Sequence, residues 1–393
     1  MNIIYERVWN DKIIQLRAKR SYIFETDFGH RLTIFGGDRT MSKIRNKRFF
    51  ESLIEIKSEP STQTQAPAAR SHGFNMVFYN HFNNSSFTYL WRRGCIWTLS
   101  CAVCLVLSLV LFGAKFASAE STYPDLRNAH DPELQKAMDK ALGSSHSKFW
   151  SGVRKKEFGV VVADVTDLHK PHVAWYNPNL MLYAASLPKI AIVLGVFVEI
   201  ERGEIKLDSE TRNQLIRAIR HSSNRDATAL LHKVGMERLA EILQDERYGK
   251  LYDQAHGGGL WVGKEYGKAP AWRRDPMHGL SHGASAMQAA RFYYGLMTGT
   301  IIDIKYLPVL AEIFGSPAIK HKFVKGLQGR KDVEIYRKSG TWRSYHADSA
   351  VVARDDLVYI VVYIDNHPDA GRGAVDGIKI VDDVMLEYAN RKR

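Results

Sequence analysis

Cysteine is scarce in this 393-residue chain, and where it falls matters more than how little there is. Cys95, Cys101 and Cys104 all lie in one uncharged apolar run, so the chain beyond residue 119 can form no disulfide of its own. A Cys-x-x-Cys inside such a run is read as structural, not as a redox or metal pair. Metal ligands are equally thin elsewhere. His278-x-x-x-His282 has the spacing of a helical pair, but Gly279 and Gly283 argue for loop and no third ligand accompanies them. No metal and no cofactor is expected. Negative charge is in deficit: Lys and Arg outnumber Asp and Glu by 55 to 42, by 16 to 8 through Ala119 and by 39 to 34 beyond it. The later excess is mild and nothing near it resembles a nucleic-acid module, so solubility or loose attraction to anionic polymers accounts for it.

A sustained hydrophobic period is missing from residues 1–90, which mix basic runs (Lys43 to Arg48), Ser/Thr/Gln/Pro (Ser58 to Ala69) and Asn-rich stretches. Little stable structure is expected there. A translation start at Met76 accounts for the same composition. Trp91-Arg92-Arg93 then precedes an uncharged run from Gly94 to Ala114, and Ala117-Ser118-Ala119 follows. A basic flank, an apolar stretch and Ala-x-Ala make a secretory signal over 91–119 with cleavage after Ala119. The run is also long enough for an uncleaved single-pass anchor, the only membrane contact expected. On either reading the arginines stay cytoplasmic and residues 120–393 are exported, as one domain.

That domain opens with a helix capped at Asp131-Pro132. The stretches Phe158 to Val165 and His172 to Tyr176 read as a hairpin. Toward the far end come strands over Val333 to Lys338, His346 to Arg354 and Leu357 to Ile364, then a helix from Ala374 to Asn390. Strands at both ends with helices between predict an α+β, three-layer α/β/α fold: one antiparallel sheet drawn from both termini, with an inserted all-helical lobe. Between lie a short helix from Ser209 to Arg220, another after Asn224, and a helix from Ala284 to Leu296. The stretch Tyr248 to Gly283 shows no sustained period, and so long a loop is uncommon unless functional.

Ser186-Leu187-Pro188-Lys189 and the apolar run behind it read as a buried helix beginning at a serine, with Pro188 in its first turn. Three residues apart on a helix, Ser186 and Lys189 share a face. Burial and the positive helix end both disfavour the ammonium, so Lys189 can be neutral near pH 7 and take the serine's proton. This is the arrangement of an activated nucleophile. Ser145-His146-Ser147-Lys148 has the same spacing but lies in a polar Gly/Ser-rich segment, and is read as linker. His221-Ser222-Ser223-Asn224 places small polar residues at a helix start, where capping alone also explains them.

Ser186-x-x-Lys189, Ser222-x-Asn224 and Lys338-Ser339-Gly340 occur in that order, on a helix, at a helix start and on a strand. The constellation resembles the penicillin-recognising serine hydrolases, the class A β-lactamases and D-alanyl-D-alanine peptidases, over nearly all of 120–393. The resemblance implies Ser186 as the acylated nucleophile, Lys189 as its proton acceptor, and Ser222 as the relay to the leaving nitrogen. It implies Asn224 as a ligand of the substrate amide and Lys338, with Ser339 and Gly340, as the holder of Ser222 and the substrate carboxylate, which Arg343 can share. The N–H groups of Ser186 and Thr341 would form the oxyanion hole. The implied partner is a β-lactam or a small peptidoglycan-derived substrate, taken by a periplasmic monomer.

The chain departs from the class A pattern in two ways. The interval from Lys189 to Ser222 is shorter, so a trimmed helical lobe is expected. Class A enzymes also use a loop Glu with Asn four positions later for deacylation, whereas here Glu265 is followed by Ala269 and no Asn occurs from Tyr248 to Gly283. Glu265 is the candidate base, but slow deacylation, and with it a D-alanyl-D-alanine carboxypeptidase or esterase, is the alternative. A third reading is a catalytically silent cell-wall binding protein, gripping glycan through the basic, aromatic stretch Trp261 to Arg274.

Overall fold

The computed structural model describes residues 21–25, 31–35, 123–143, 152–354 and 356–392. The 91–119 segment and Ser145 to Lys148 lie outside the described residues, as does most of 1–90. Within 1–90, strands β1 (Ser21–Glu25) and β2 (Arg31–Phe35) form an antiparallel pair. Among the described residues no helix is long and apolar enough to cross a membrane.

Five strands build the main sheet: β3 (Phe158–Asp164), β4 (His172–Tyr176), β10 (Glu334–Trp342), β11 (Tyr345–Ala353) and β12 (Val358–Asn366). Their order is β10-β11-β12-β3-β4, antiparallel throughout, so the two termini of the domain meet where Tyr363 pairs with Val160. Successive residues of a strand point to opposite faces, and here both faces are covered. Val160, Val162, Val352 and Val361 pack under α1 (Pro132–Gly143) and α9 (Ala370–Lys392). Val161, Ala163, Val351 and Val362 face α6 (Ala286–Thr298) and the helical lobe. This is the expected α+β fold, α/β/α in layers, and the double burial explains why the strands read as nearly unbroken apolar runs.

The lobe contains α2 (Lys189–Glu201), α3 (Ser209–Arg220), α4 (Asn224–Val234) and α5 (Met236–Gln244). Helix α2 is its axle. Every residue from Ile190 to Val198 is buried, as an apolar run without a polar face requires. The structure corrects its start, which is Lys189 and not Ser186. Pro188 is the N-cap residue, with no N–H to donate, and the preceding tight turn is already closed by Leu187 N donating to Ala184 O at 3.0 Å. Three helices absent from the sequence reading, α5, α7 (Leu307–Phe314) and α8 (Phe323–Gly326), are short, so few residues carry their periodicity.

The stretch 248–283 is more ordered than its lack of period predicts. It holds the pair β6 (Tyr252–Asp253) and β7 (Gly258–Gly259), and strands β8 (Trp261–Val262) and β9 (His282–Ala284), which join β5 (Leu182–Tyr183) in a three-stranded sheet. Two- and three-residue strands leave no alternation to read. Trp261 is 1 % exposed and donates Nε1–H to Arg273 O, so it belongs to the core and is not a glycan-gripping surface group.

Candidate active site

Ser186 sits in the turn between β5 and α2. Ala185 reverses the chain there with φ of +51°. Neither the N–H nor the Oγ of Ser186 has a hydrogen-bond partner among the described residues, so both are unspent in a turn already satisfied by its neighbours. Gly340 closes the other side. A Cβ at that position would lie 2.0 Å from Ala184 O and 2.9 Å from Ser186 N, so only glycine lets β10 run backbone against backbone along the turn. Lys338-Ser339-Gly340 is therefore on a strand, as the sequence suggested, and that strand abuts the serine.

Lys189 is 1 % exposed at the start of α2. Its Nζ donates to Ser222 O at 2.6 Å and to Asn224 Oδ1 at 2.8 Å, and lies 3.4 Å from Ser222 Oγ. Burial lowers its pKa to about 7. A neutral amine there spends both hydrogens on the two oxygens and keeps its lone pair for a hydroxyl.

The polar cluster before α4 divides its labour. Ser223 is the N-cap, accepting from Asp226 N, and its own hydroxyl donates to Asp226 Oδ2 at 2.5 Å. Ser222, in the left-handed region at φ +55°, is free of capping. Lys338 Nζ instead donates to Ser222 Oγ at 3.0 Å and to Ser339 O at 2.6 Å. With that oxygen accepting from Lys338 and 3.4 Å from Lys189 Nζ, Ser222 bridges the two lysines. Burial holds the Lys338 ammonium well below the ordinary lysine range, and the Lys189 and Arg337 cations push the same way. The one carboxylate that opposes them, Asp348, is spent on Arg337 in a two-pronged pair at 2.7 and 2.8 Å.

Thr341 continues β10 past Gly340, and its Oγ1 accepts from Lys322 Nζ at 2.8 Å. Lys322 also donates to Gly340 O at 2.5 Å and Ala347 O at 3.0 Å, and burial lowers its pKa to about 8. It rivets the β10–β11 pair beside the serine. Arg343 does not join these lysines. It occupies the exposed β10–β11 turn at φ +53°, its guanidinium 4.3 Å from the centre of the Trp342 ring. Trp342, 45 % exposed, forms an aromatic rim with Tyr183 and Tyr345, the Tyr183 ring lying 5.4 Å from Trp342 and 5.3 Å from Tyr345.

The stretch singled out as too long for an idle loop does reach the site, though not by the residue expected. Glu265 Oε1 meets His232 Nε2 at 2.6 Å on the outside of α4. Its neighbour Tyr266 turns inward instead, placing its ring 4.5 Å from Lys189 Nζ and 4.3 Å from the His282 ring. His282 lies in a strand, and His278 Nε2 contacts Gly257 O, so the two histidines are not a ligand pair; no metal-binding cluster occurs among the described residues. Only the length of the loop hinted at Tyr266 and His282. Lys322, Arg337 and Asp348 left no sequence signal, because the β10–β11 register brings Arg337 to Asp348 and Lys322 reaches the pair of strands from the start of α8.

The architecture is similar to that of class A β-lactamases. A β-lactamase from Sphaerobacter thermophilus DSM 20745 is 12 % identical, with a TM-score of 0.47 over 63 % of this chain and 93 % of that one. PBP-A is 14 % identical, with a TM-score of 0.47 over 66 % and 97 %. A representative class A β-lactamase from Bacteroides cellulosilyticus DSM 14838 is 15 % identical, with a TM-score of 0.49 over 66 % and 99 %. No protein-family model matches the chain, and no curated protein sequence matches it.

Proposed function

We propose that residues 120–393 form an exported serine hydrolase that is acylated at Ser186 by β-lactams or by the C-terminal end of peptidoglycan peptides. The observation that carries this reading is the hydrogen-bonded series Lys338, Ser222, Lys189, laid beside a serine whose N–H and Oγ are both unspent. In acylation, Ser186 Oγ bonds to the substrate carbonyl carbon and yields its proton to the Lys189 amine. The C–N bond then breaks, and the proton passes through Ser222 Oγ to the leaving nitrogen. Ser186 N–H, with the N–H of Thr341 across from it, supplies the donors for the developing oxyanion. Asn224 has its Oδ1 on Lys189, which leaves its amide N–H groups for a substrate carbonyl.

The test is labelling of the full chain by a fluorescent penicillin. A covalent adduct that disappears in Ser186→Ala is expected; absence of any adduct with β-lactams or acyl esters overturns the reading. Export is tested by cell fractionation, where recovery of the domain only in the cytoplasm would overturn it.

One observation favours a peptidase or esterase over a fast β-lactamase. Glu265 is bound to His232, and the loop offers Lys189 an aromatic ring where a hydrolytic base would be needed. Release of D-alanine from a cell-wall pentapeptide, with a long-lived penicilloyl adduct, is the outcome this predicts. Rapid nitrocefin turnover would rule it out.

A further inference from the structure

Tyr266 lays its ring 4.5 Å from the proposed base, yet no part of the three-motif pattern accounts for it. Its backbone is pinned in both directions by one hydroxyl, with Thr228 Oγ1 accepting from Tyr266 N at 3.1 Å and lying 3.4 Å from Tyr266 O. The ring so held lies over Lys189 Nζ and packs at a tilt of 39° against the His282 ring. His282 is 3 % exposed, and burial, with the Lys264 cation adding to it, lowers its pKa to about 4, so the imidazole is neutral at physiological pH. Tyr266 Oη and His282 Nε2 are both buried without a hydrogen-bond partner among the described residues. Leaving such groups unsatisfied costs stability, and a loop selected for stability alone would turn them to water.

We propose that Tyr266 is a positioning residue whose ring covers Lys189 and keeps it a free amine, so that the pH at which the serine is activated is set by this loop. The inference rests on Lys189 acting as the base for Ser186, but its test does not require acylation. The groups facing Lys189 are Lys338 from β10, Ser222 and Asn224 from the start of α4, His282 from β9 and Tyr266 itself. None is an anion, so removal of the ring admits water and raises the Lys189 midpoint without a competing counter-charge. A ring can also attract a cation, and with water present that attraction would favour the ammonium. Burial is what lowers Lys189, and the ring at 4.5 Å is part of that burial; the Tyr266→Ala titration weighs the two effects directly.

The experiment is an NMR titration of full-length protein carrying 13Cε-labelled lysine, with Lys189→Met assigning the resonance. Wild type is expected to titrate near pH 7, Tyr266→Ala at least about one pH unit higher, and Tyr266→Phe as wild type, because the ring and not the hydroxyl gives the cover. Tyr266→Leu, which restores an apolar cover where the alanine variant is poorly folded, should also stay near wild type. A Lys189 midpoint unmoved in Tyr266→Ala overturns the proposal, and so does an equal shift in Tyr266→Phe. Where penicillin labelling is seen, its pH profile should move with the NMR midpoint. A failure of labelling alone counts against Ser186 and leaves the titration to decide on Tyr266.

Discussion

Lys189 and Lys338 are two buried cationic side chains joined through one hydroxyl, and neither forms an ion pair among the described residues. Burial lowers the proton affinity of both, and the Lys189 charge lowers that of Lys338 further. Acylation by Ser186 should therefore rise about tenfold per pH unit below pH 7 and level off above it, as the Lys189 amine is freed, which a pH series of penicillin labelling rates would check. The same shift has a stability consequence of fixed sign. Between pH 7 and the ordinary lysine range the unfolded chain holds a proton that folded Lys189 lacks, so stability rises with pH across that window and is least below it. Lys189→Met should abolish labelling while raising the melting temperature at pH 6, by the equivalent of about 1 kcal/mol or more. A lower melting temperature would show that its hydrogen bonds to Ser222 and Asn224 outweigh the burial of charge. Lys338, on the strand beside Ser186, is the lysine placed to meet the substrate's carboxylate. A substrate carboxylate would recharge it, so Lys338→Ala should slow acylation about ten- to a hundredfold for a carboxylate-bearing substrate and less for its methyl ester. Equal losses would confine Lys338 to the proton path.

At the scale of elements, the site is where β10 slides past the turn before α2. Gly340→Ala places a methyl group 2.0 Å from Ala184 O, where no side chain can yield. The expected cost is about 1–3 kcal/mol in chemical denaturation, together with loss of labelling, because the strand must withdraw from Ser186. Denaturation matching wild type would show that β10 does not contact the turn. Behind that strand Arg337 and Asp348 are 2 % and 0 % exposed, and Asp348→Ala leaves a buried guanidinium uncompensated, a loss of about 3–5 kcal/mol by the same measurement. The loop holding Glu265 and Tyr266 is predicted to matter through the tyrosine alone. Glu265→Gln should leave the lifetime of a penicilloyl adduct unchanged by mass spectrometry, since that carboxylate faces His232. A lengthened lifetime would restore Glu265 as a hydrolytic base.

Across the whole molecule, the chain ends of the domain lock the layer opposite the site. Asp131 caps α1 by accepting from Glu133 N and Leu134 N at 2.8 Å, and also accepts from Tyr388 Oη at 2.6 Å and Lys392 Nζ at 3.1 Å in α9. These contacts hold its carboxyl well below the usual carboxylate range, so its stabilising share is present above the unfolded carboxylate pKa and is lost in strong acid. Tyr388→Phe should cost about 1–3 kcal/mol in thermal or denaturant unfolding and leave the acylation rate unchanged, because it lies on the far face of the sheet. A changed rate would mean that the two faces are coupled.

Wherever a function needs a residue type at a short, local spacing, the amino-acid order was informative. The apolar run after Lys189 demanded a buried helix, the polar breaks at Thr166 to Pro171 demanded a hairpin, and Lys338-Ser339-Gly340 read as part of a strand. Those are nearest-neighbour constraints of backbone and hydrophobicity, and they survive folding unchanged. What depended on contacts between distant segments was decided only by the tertiary structure. Ser222 and Ser223 are chemically alike, yet one caps a helix and the other bridges two lysines, because a positive φ at Ser222 turns it toward β10. Glu265 and Tyr266 are adjacent, yet one faces His232 and the other Lys189, because Thr228 grips the backbone at Tyr266. Sequence supplies the groups, whereas the packing of α2, α4 and β10 around a single lysine decides which of them meet and what charge they carry.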